Sequence, residues 1–293
     1  MLRLLVLFVF CLVSVNAYAS TVRVLTSTYP LYLITKNVIG NVKNIKLELL
    51  TPANGGCPHD YSLSSKDMMR VAKADVLIVN GLGLEAHIGL NKLSSKARVI
   101  DTSMGVKDRI LLHKTQIVKD LHGKFNPHLF VSPRLNGEIA IEIARHLSYD
   151  KNQSRQFMQN AMAYAKQMQK LNAEFVAVTQ GLKHKSVIQS HGVFDYLFAD
   201  MGIEIKAKMQ DQGREPSAAK IRFLINLINT EHIVAIFSEP QYPQKVAILL
   251  SKETGVPTAV LDPVVSGPLD ANLDYFATQM RKNLQIIKRI LIK

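Results

Sequence analysis

The chain has 293 residues, 47% of them hydrophobic, which is enough for stability to come from a buried core in one or two domains. The formal net charge is +13, yet the lysines and arginines are scattered. No block of five or six like charges and no basic run interleaved with aromatics occurs, so the balance reads as a solvated surface rather than a nucleic-acid site. Of the two cysteines, Cys11 lies in an apolar leader, and Cys57 is then left without an intrachain disulfide partner.

The leader comes first. Met1-Leu2-Arg3 is short and basic, residues 4–15 are almost wholly apolar, and Ala17-Tyr18-Ala19 fits a small-x-small cleavage site. Residues 1–19 are therefore expected to be a signal peptide cut after Ala19. The apolar stretch is too short to span a membrane. Val9-Phe10 before Cys11 lacks the small residues of a lipidation site. The expectation is a freely soluble, monomeric periplasmic protein with no transmembrane segment in its mature chain.

From there the pattern alternates. Residues 22–25 read as a strand and residues 31–39 as a helix stopped by Gly40. Residues 45–50 read as a strand, followed by a Pro/Gly loop that carries Pro58-His59-Asp60. Ser64 and Asp67 have the spacing of a capping box at the start of a helix running through Ala72. Residues 76–79 form a short buried strand closed by Asn80-Gly81. Asn126-Pro127-His128 precedes a helix beginning near Pro133. From 152 to 181 there is no proline, and Phe157, Ala161, Tyr164, Met168, Leu171, Phe175 and Val178 step by three and four. That is one helix about 45 Å long, a rod between two domains. Strands then return at 187–189, 233–237 and 258–261, and a last helix covers 273–292. The expected fold is α/β: two Rossmann-like lobes with mainly parallel sheets, 20–151 and 182–293, joined by the helix 152–181, each lobe with its own core.

Three histidines and a carboxylate stand where such elements end: His59, His128, His191 and Asp262. Ligands bind beyond the carboxyl ends of strands in open α/β sheets, and His191, Glu239 and Asp262 each follow a predicted strand. Three imidazoles and one carboxylate suit a divalent transition metal in the cleft between the lobes. Glu239 is expected to orient a histidine, or to replace Asp262. His87, His113, His146, His184 and His232 read as ordinary histidines, and Cys57 as structural.

The chain resembles the zinc/manganese-binding substrate-binding proteins of bacterial ABC importers. The resemblance rests on Tyr29-Pro30-Leu31, Pro58-His59-Asp60-Tyr61, Ala74-Asp75-Val76, Leu84-Glu85, Asn126-Pro127-His128, Ser190-His191-Gly192-Val193-Phe194-Asp195-Tyr196, Ser238-Glu239-Pro240-Gln241 and Leu261-Asp262-Pro263. It implies two lobes joined by one long helix, with ligands at His59, His128, His191 and Asp262. A histidine at the third position resembles the zinc subgroup rather than the manganese one. The segment 111–125 holds only His113 and His122, so no metal-gathering loop is expected. The implied function is capture of Zn2+, in preference to Mn2+ or iron, for an ABC permease in the inner membrane. A zinc hydrolase fits less well, because four protein ligands close the site and no His-Glu-x-x-His signature occurs. An adhesin reading has only the basic charge behind it.

Overall fold

The computed structural model describes residues 21–56, 61–86, 96–106, 125–147, 151–210 and 215–292. Two four-stranded sheets carry it. The first contains β1 (Val22–Thr26), β2 (Ile45–Leu49), β3 (Val76–Val79) and β4 (Arg98–Asp101) in the order β2-β1-β3-β4. The second contains β5 (Ser186–Gln189), β6 (Glu204–Lys208), β7 (Ile233–Ser238) and β8 (Thr258–Val260) in the order β6-β5-β7-β8. Every pairing is parallel, and the second sheet repeats the strand order of the first. The expected α/β fold with two parallel-sheet lobes is therefore found. Successive strands leave β1 in opposite directions, as they do from β5. Each lobe thus has a switch point at the carboxyl ends of its two central strands, where a crevice opens.

The helices follow from local signals. In α1 (Tyr29–Ile39), Pro30 sits in the first turn and Gly40 closes the end at φ 54°. It begins two residues earlier than its apolar spacing suggested. Helix α2 (Ser65–Lys73) has the full capping box: Ser64 Oγ accepts the Asp67 N–H, and the Asp67 carboxylate accepts the Ser64 N–H. Helix α3 (Pro133–His146) starts with Pro133 after Ser132, whose Oγ accepts the Leu135 N–H. In the second lobe, α5 (Asp195–Asp200), α6 (Ala218–Thr230) and α7 (Lys245–Thr254) alternate with the strands, and α8 (Tyr275–Leu291) ends the fold.

Helix α4 (Lys151–Thr179) is the rod: 29 residues, or about 43 Å at 1.5 Å per residue. Phe157, Ala161, Tyr164, Met168, Leu171 and Phe175 are buried as their spacing predicts, and Thr179 rather than Val178 completes the stripe. The Tyr164 hydroxyl donates to Asn136 Oδ1 on α3 at 2.7 Å. One expectation is corrected. The lobes do not have separate main cores: one continuous cluster runs from Val24 and Val76 of the first sheet through the α4 stripe to Phe237 and Leu261 of the second lobe. Helix α4 packs on α1 and α3 of the first lobe and on α8 of the second, so it joins the cores instead of spacing them apart. Smaller clusters around Leu77 and around Leu250 line the outer faces. Among the described residues no helix is long and apolar enough to cross a membrane.

The expected signal peptide (1–19), Cys57, His59, His87, His113 and His122 lie outside the described residues.

Candidate metal centre

His128 and His191 come from the two lobes and meet. Their ring centroids are 5.1 Å apart with planes at 88°, both residues are buried, and the Nε2 atom of each is enclosed. His128 is the N-cap residue of a single 3-10 turn, Leu129–Val131. That segment is held from both sides. Asn80, just past β3, donates from Nδ2 to the Pro127 carbonyl at 2.9 Å, and the Tyr196 hydroxyl of α5 donates to the Asn126 carbonyl at 2.7 Å. His191 follows β5, and Glu239 follows β7 directly, so the two flank the switch point of the second sheet.

The proton positions on both rings follow from their neighbours. Asn126 Nδ2 lies 2.6 Å from the Gly192 carbonyl and 2.8 Å from Asp195 Oδ2, both acceptors only. The nitrogen of the Asn126 amide must face them, and its oxygen must face His128. That oxygen accepts the His128 backbone N–H at 3.0 Å and is 2.7 Å from His128 Nδ1. Nδ1 therefore donates, and in the neutral ring Nε2 is then the basic nitrogen. His191 Nδ1 lies 2.7 Å from Glu239 Oε1, so it too donates, and in the neutral ring its Nε2 is the basic nitrogen. An Nδ1 donor bond to an oxygen is the arrangement that orients a metal-ligating imidazole. Gly192, at φ 117°, supplies the turn that aims its carbonyl at Asn126.

Asp195 is the hub behind Asn126. It is fully buried and accepts from Asn126, from Gln189 Nε2 and from the Lys208 ammonium at 3.0 Å. Tyr242 covers His191, ring centroids 5.2 Å apart at 75°, and Phe130 meets His128 edge-on at 5.9 Å.

Asp262 follows β8 by two residues. Its backbone is clamped by Asn283 of α8, which accepts the Asp262 N–H at 3.0 Å and donates to its carbonyl at 2.7 Å. Oδ1 accepts the Val264 N–H at 2.8 Å, with Val264 held at φ 58°, a strained setting for a β-branched residue. Burial pushes the Asp262 carboxyl above its ordinary range, opposed by the Val264 N–H and by Lys282. After Asp262 the strap 263–271 crosses to the first lobe. The Gly267 N–H donates to the Ala53 carbonyl at 2.9 Å. Tyr29 and Tyr32 of α1 donate to the carbonyls of Pro268 and Leu269, and Lys36 donates to that of Ala271. A Cβ on Gly267 would lie 2.6 Å from the Tyr29 hydroxyl oxygen. Burial, first of several causes, raises the Tyr29 phenol above its ordinary value, so it stays a donor.

Of the five residues expected at the site, His128 and His191 are brought together and Glu239 bonds one of them. Among the described residues no three of His, Cys, Asp and Glu are gathered closely enough to hold a metal, so Asp262 does not join the pair in such a group. His59 lies outside the described residues. Asn126 and Asp195, which fix His128, were not singled out from the sequence. The signal was the asparagine two residues before the histidine.

A family model described as zinc-uptake complex component A, periplasmic, matches residues 24–290. The chain belongs to this family. It is 29% identical over 291 residues to the zinc-binding protein AdcA of Streptococcus pyogenes serotype M3, covering 91% of this chain and 55% of that protein. The chain thus spans about half the length of the curated relatives it matches. Among solved structures, FpvC of Pseudomonas aeruginosa in complex with Mn2+ is similar at TM-score 0.78 and 25% identity, over 93% of this chain and 98% of that one. Zn(II)-bound AdcA of Streptococcus pneumoniae is similar at TM-score 0.73 and 28% identity, over 94% of this chain and 58% of that one.

Proposed function

We propose that this chain captures a divalent transition metal ion, Zn2+ by preference, in the cleft between its lobes and delivers it to an ABC-type permease in the membrane. The reading rests above all on the His128/His191 pair: two buried imidazoles from different lobes, each with its Nδ1 proton given to an oxygen and its Nε2 left basic. His59, which follows β2 in the sequence, and Asp262, drawing toward the pair as the ion binds, complete a set of four ligands, with Glu239 orienting His191. Three imidazoles favour zinc over manganese, which prefers more oxygen. The chain works as a carrier, not an enzyme, because four protein ligands leave no open position for a reacting water. In this reading residues 1–19 are an export signal cut after Ala19, 20–151 and 182–293 are the two lobes, 152–181 is the joining helix, and the mature protein is a periplasmic monomer.

Calorimetric titration of the chelator-stripped protein with Zn2+ tests this. One ion per chain is expected, and His59→Ala, His128→Ala, His191→Ala and Asp262→Ala should each weaken binding more than about tenfold. Binding indifferent to His128→Ala and His191→Ala sinks the proposal. Normal binding by Asp262→Ala together with loss in Glu239→Ala would transfer the carboxylate role to Glu239. A manganese carrier has one specific support, the Mn2+ complex of the similar FpvC. It would show tighter Mn2+ than Zn2+ retention in protein purified from its native compartment.

A further inference from the structure

The second sheet carries another pair of imidazoles at its opposite end. His184 and His232 have ring centroids 4.6 Å apart, with planes tilted by 40°. The register explains why they meet. Strands β5 and β7 are parallel neighbours with Ser186 beside Ile233, and the histidines precede those residues by two and by one. Both therefore stand at the amino ends of the strands, whereas His191 and Glu239 stand beyond the carboxyl ends. A four-residue strand of roughly 13 Å separates the two places.

The other described histidines are committed to a partner: His128 to Asn126, His191 to Glu239, and His146 to Glu142 at 3.0 Å. Among the described residues the rings of His184 and His232 have no hydrogen-bond or ion-pair partner, and they touch each other. Both residues are exposed. Two neighbouring neutral imidazoles with accessible nitrogens are a chelate for borderline first-row cations.

We propose that His184 and His232 form a second, solvent-facing site for a divalent transition metal ion, with water completing the coordination. Metal–nitrogen bonds of about 2.0–2.1 Å let two ligating nitrogens lie up to about 4 Å apart. Rings already in contact reach that by rotation about their own side-chain bonds. Preference follows donor type: Cu2+ first, then Ni2+ and Zn2+, and not Mg2+ or Ca2+. The basic neighbours Lys183 and Lys185 oppose a cation. Glu231 adds a carboxylate on the same edge, paired with Lys206 at 3.1 Å. Open coordination positions and this charge balance make the site weaker and faster to exchange than the buried cleft.

The test is equilibrium dialysis of the full chain, first given one equivalent of Zn2+ and then exposed to Ni2+, with both metals counted. The expected result is zinc retained and about one Ni2+ per chain in addition. His184→Gln and His232→Gln should each weaken nickel uptake more than about tenfold while leaving zinc content unchanged, which also reports an intact fold. Total metal that stays at one per chain overturns the proposal. So does additional nickel that survives in the His184→Gln/His232→Gln double variant. The comparison of parent with double variant reads the same way whether or not the cleft holds zinc.

Discussion

At the scale of single residues, the histidine pair of the cleft depends on the side chains behind it. Asn126 is the clearest case, since its amide orientation dictates the tautomer of His128. Asn126→Ala should weaken Zn2+ binding by about 10–100-fold, with the far-ultraviolet spectrum unchanged, because the ring loses its orienting acceptor. Unchanged affinity in a titration would remove Asn126 from the machinery. His128 and His191 were legible in the sequence, because each stands beside a proline or glycine at a turn, Pro127 and Gly192. Their partners were not. A hydrogen bond between Asn126 and Asp195, 69 positions apart, leaves no periodic mark. Glu85 is a second buried carboxylate, at the switch point of the first sheet. It accepts the Ser27 hydroxyl at 2.7 Å and the Asn80 and Gly81 N–H groups at 2.7 and 3.1 Å. Burial nevertheless raises it above its ordinary 4.5, outweighing those donors. Between 4.5 and the raised folded value, the native state holds a proton that the unfolded chain has released. Stability therefore falls as pH rises through that window, and the full cost of the buried charge is present above it. In Glu85→Gln, denaturant melts from pH 4 to 7 should show a flatter fall. A parent-like slope would mean that the charge is not set by burial.

At the scale of elements, the structure shows why some segments announce themselves and others do not. Strands β1, β3, β5 and β7 are central, covered on both faces, and spelled in apolar or β-branched residues such as Val76-Leu77-Ile78-Val79. Strands β4 and β6 went unread. They are edges of their sheets, and Arg98-Val99-Ile100-Asp101 and Glu204-Ile205-Lys206-Ala207-Lys208 carry the charges that edges carry. Helix α4 was legible because its stripe is long and unbroken, but what the stripe packs against was not, since periodicity gives a face and not its partner. Those partners are α1 and α3 of the first lobe and α8 of the second. Phe175, fully buried in the stripe, should cost about 3–5 kcal/mol as Phe175→Ala. Scanning calorimetry should still record one transition, at lower temperature. Two separated transitions would show that the lobes unfold independently.

At the scale of the whole molecule, the proposed ligand set would make the cleft a proton-linked device. Zinc held by that set would require all three imidazoles neutral, and free histidine titrates near about 6.5, whereas free aspartate titrates near about 3.9. Apparent affinity should therefore fall steeply between pH 7.5 and 5.5, with protons expelled on binding at the acid end. Calorimetry in buffers of different ionisation enthalpy counts them. A count well below one at pH 5.5, with nearly flat affinity, would contradict a three-histidine set. The molecule is also closed on itself in a second way. The strap after Asp262 returns to the first lobe and is buttoned there by Tyr29, Tyr32, Lys36 and Ala53. The peptide bond is thus not what keeps the halves together. A protease cutting the exposed turn at Gly181 would sever the chain but not the molecule. Two fragments with the same strand order would remain engaged like a buckle and its tongue, and such a nick would pass unnoticed until the protein was denatured.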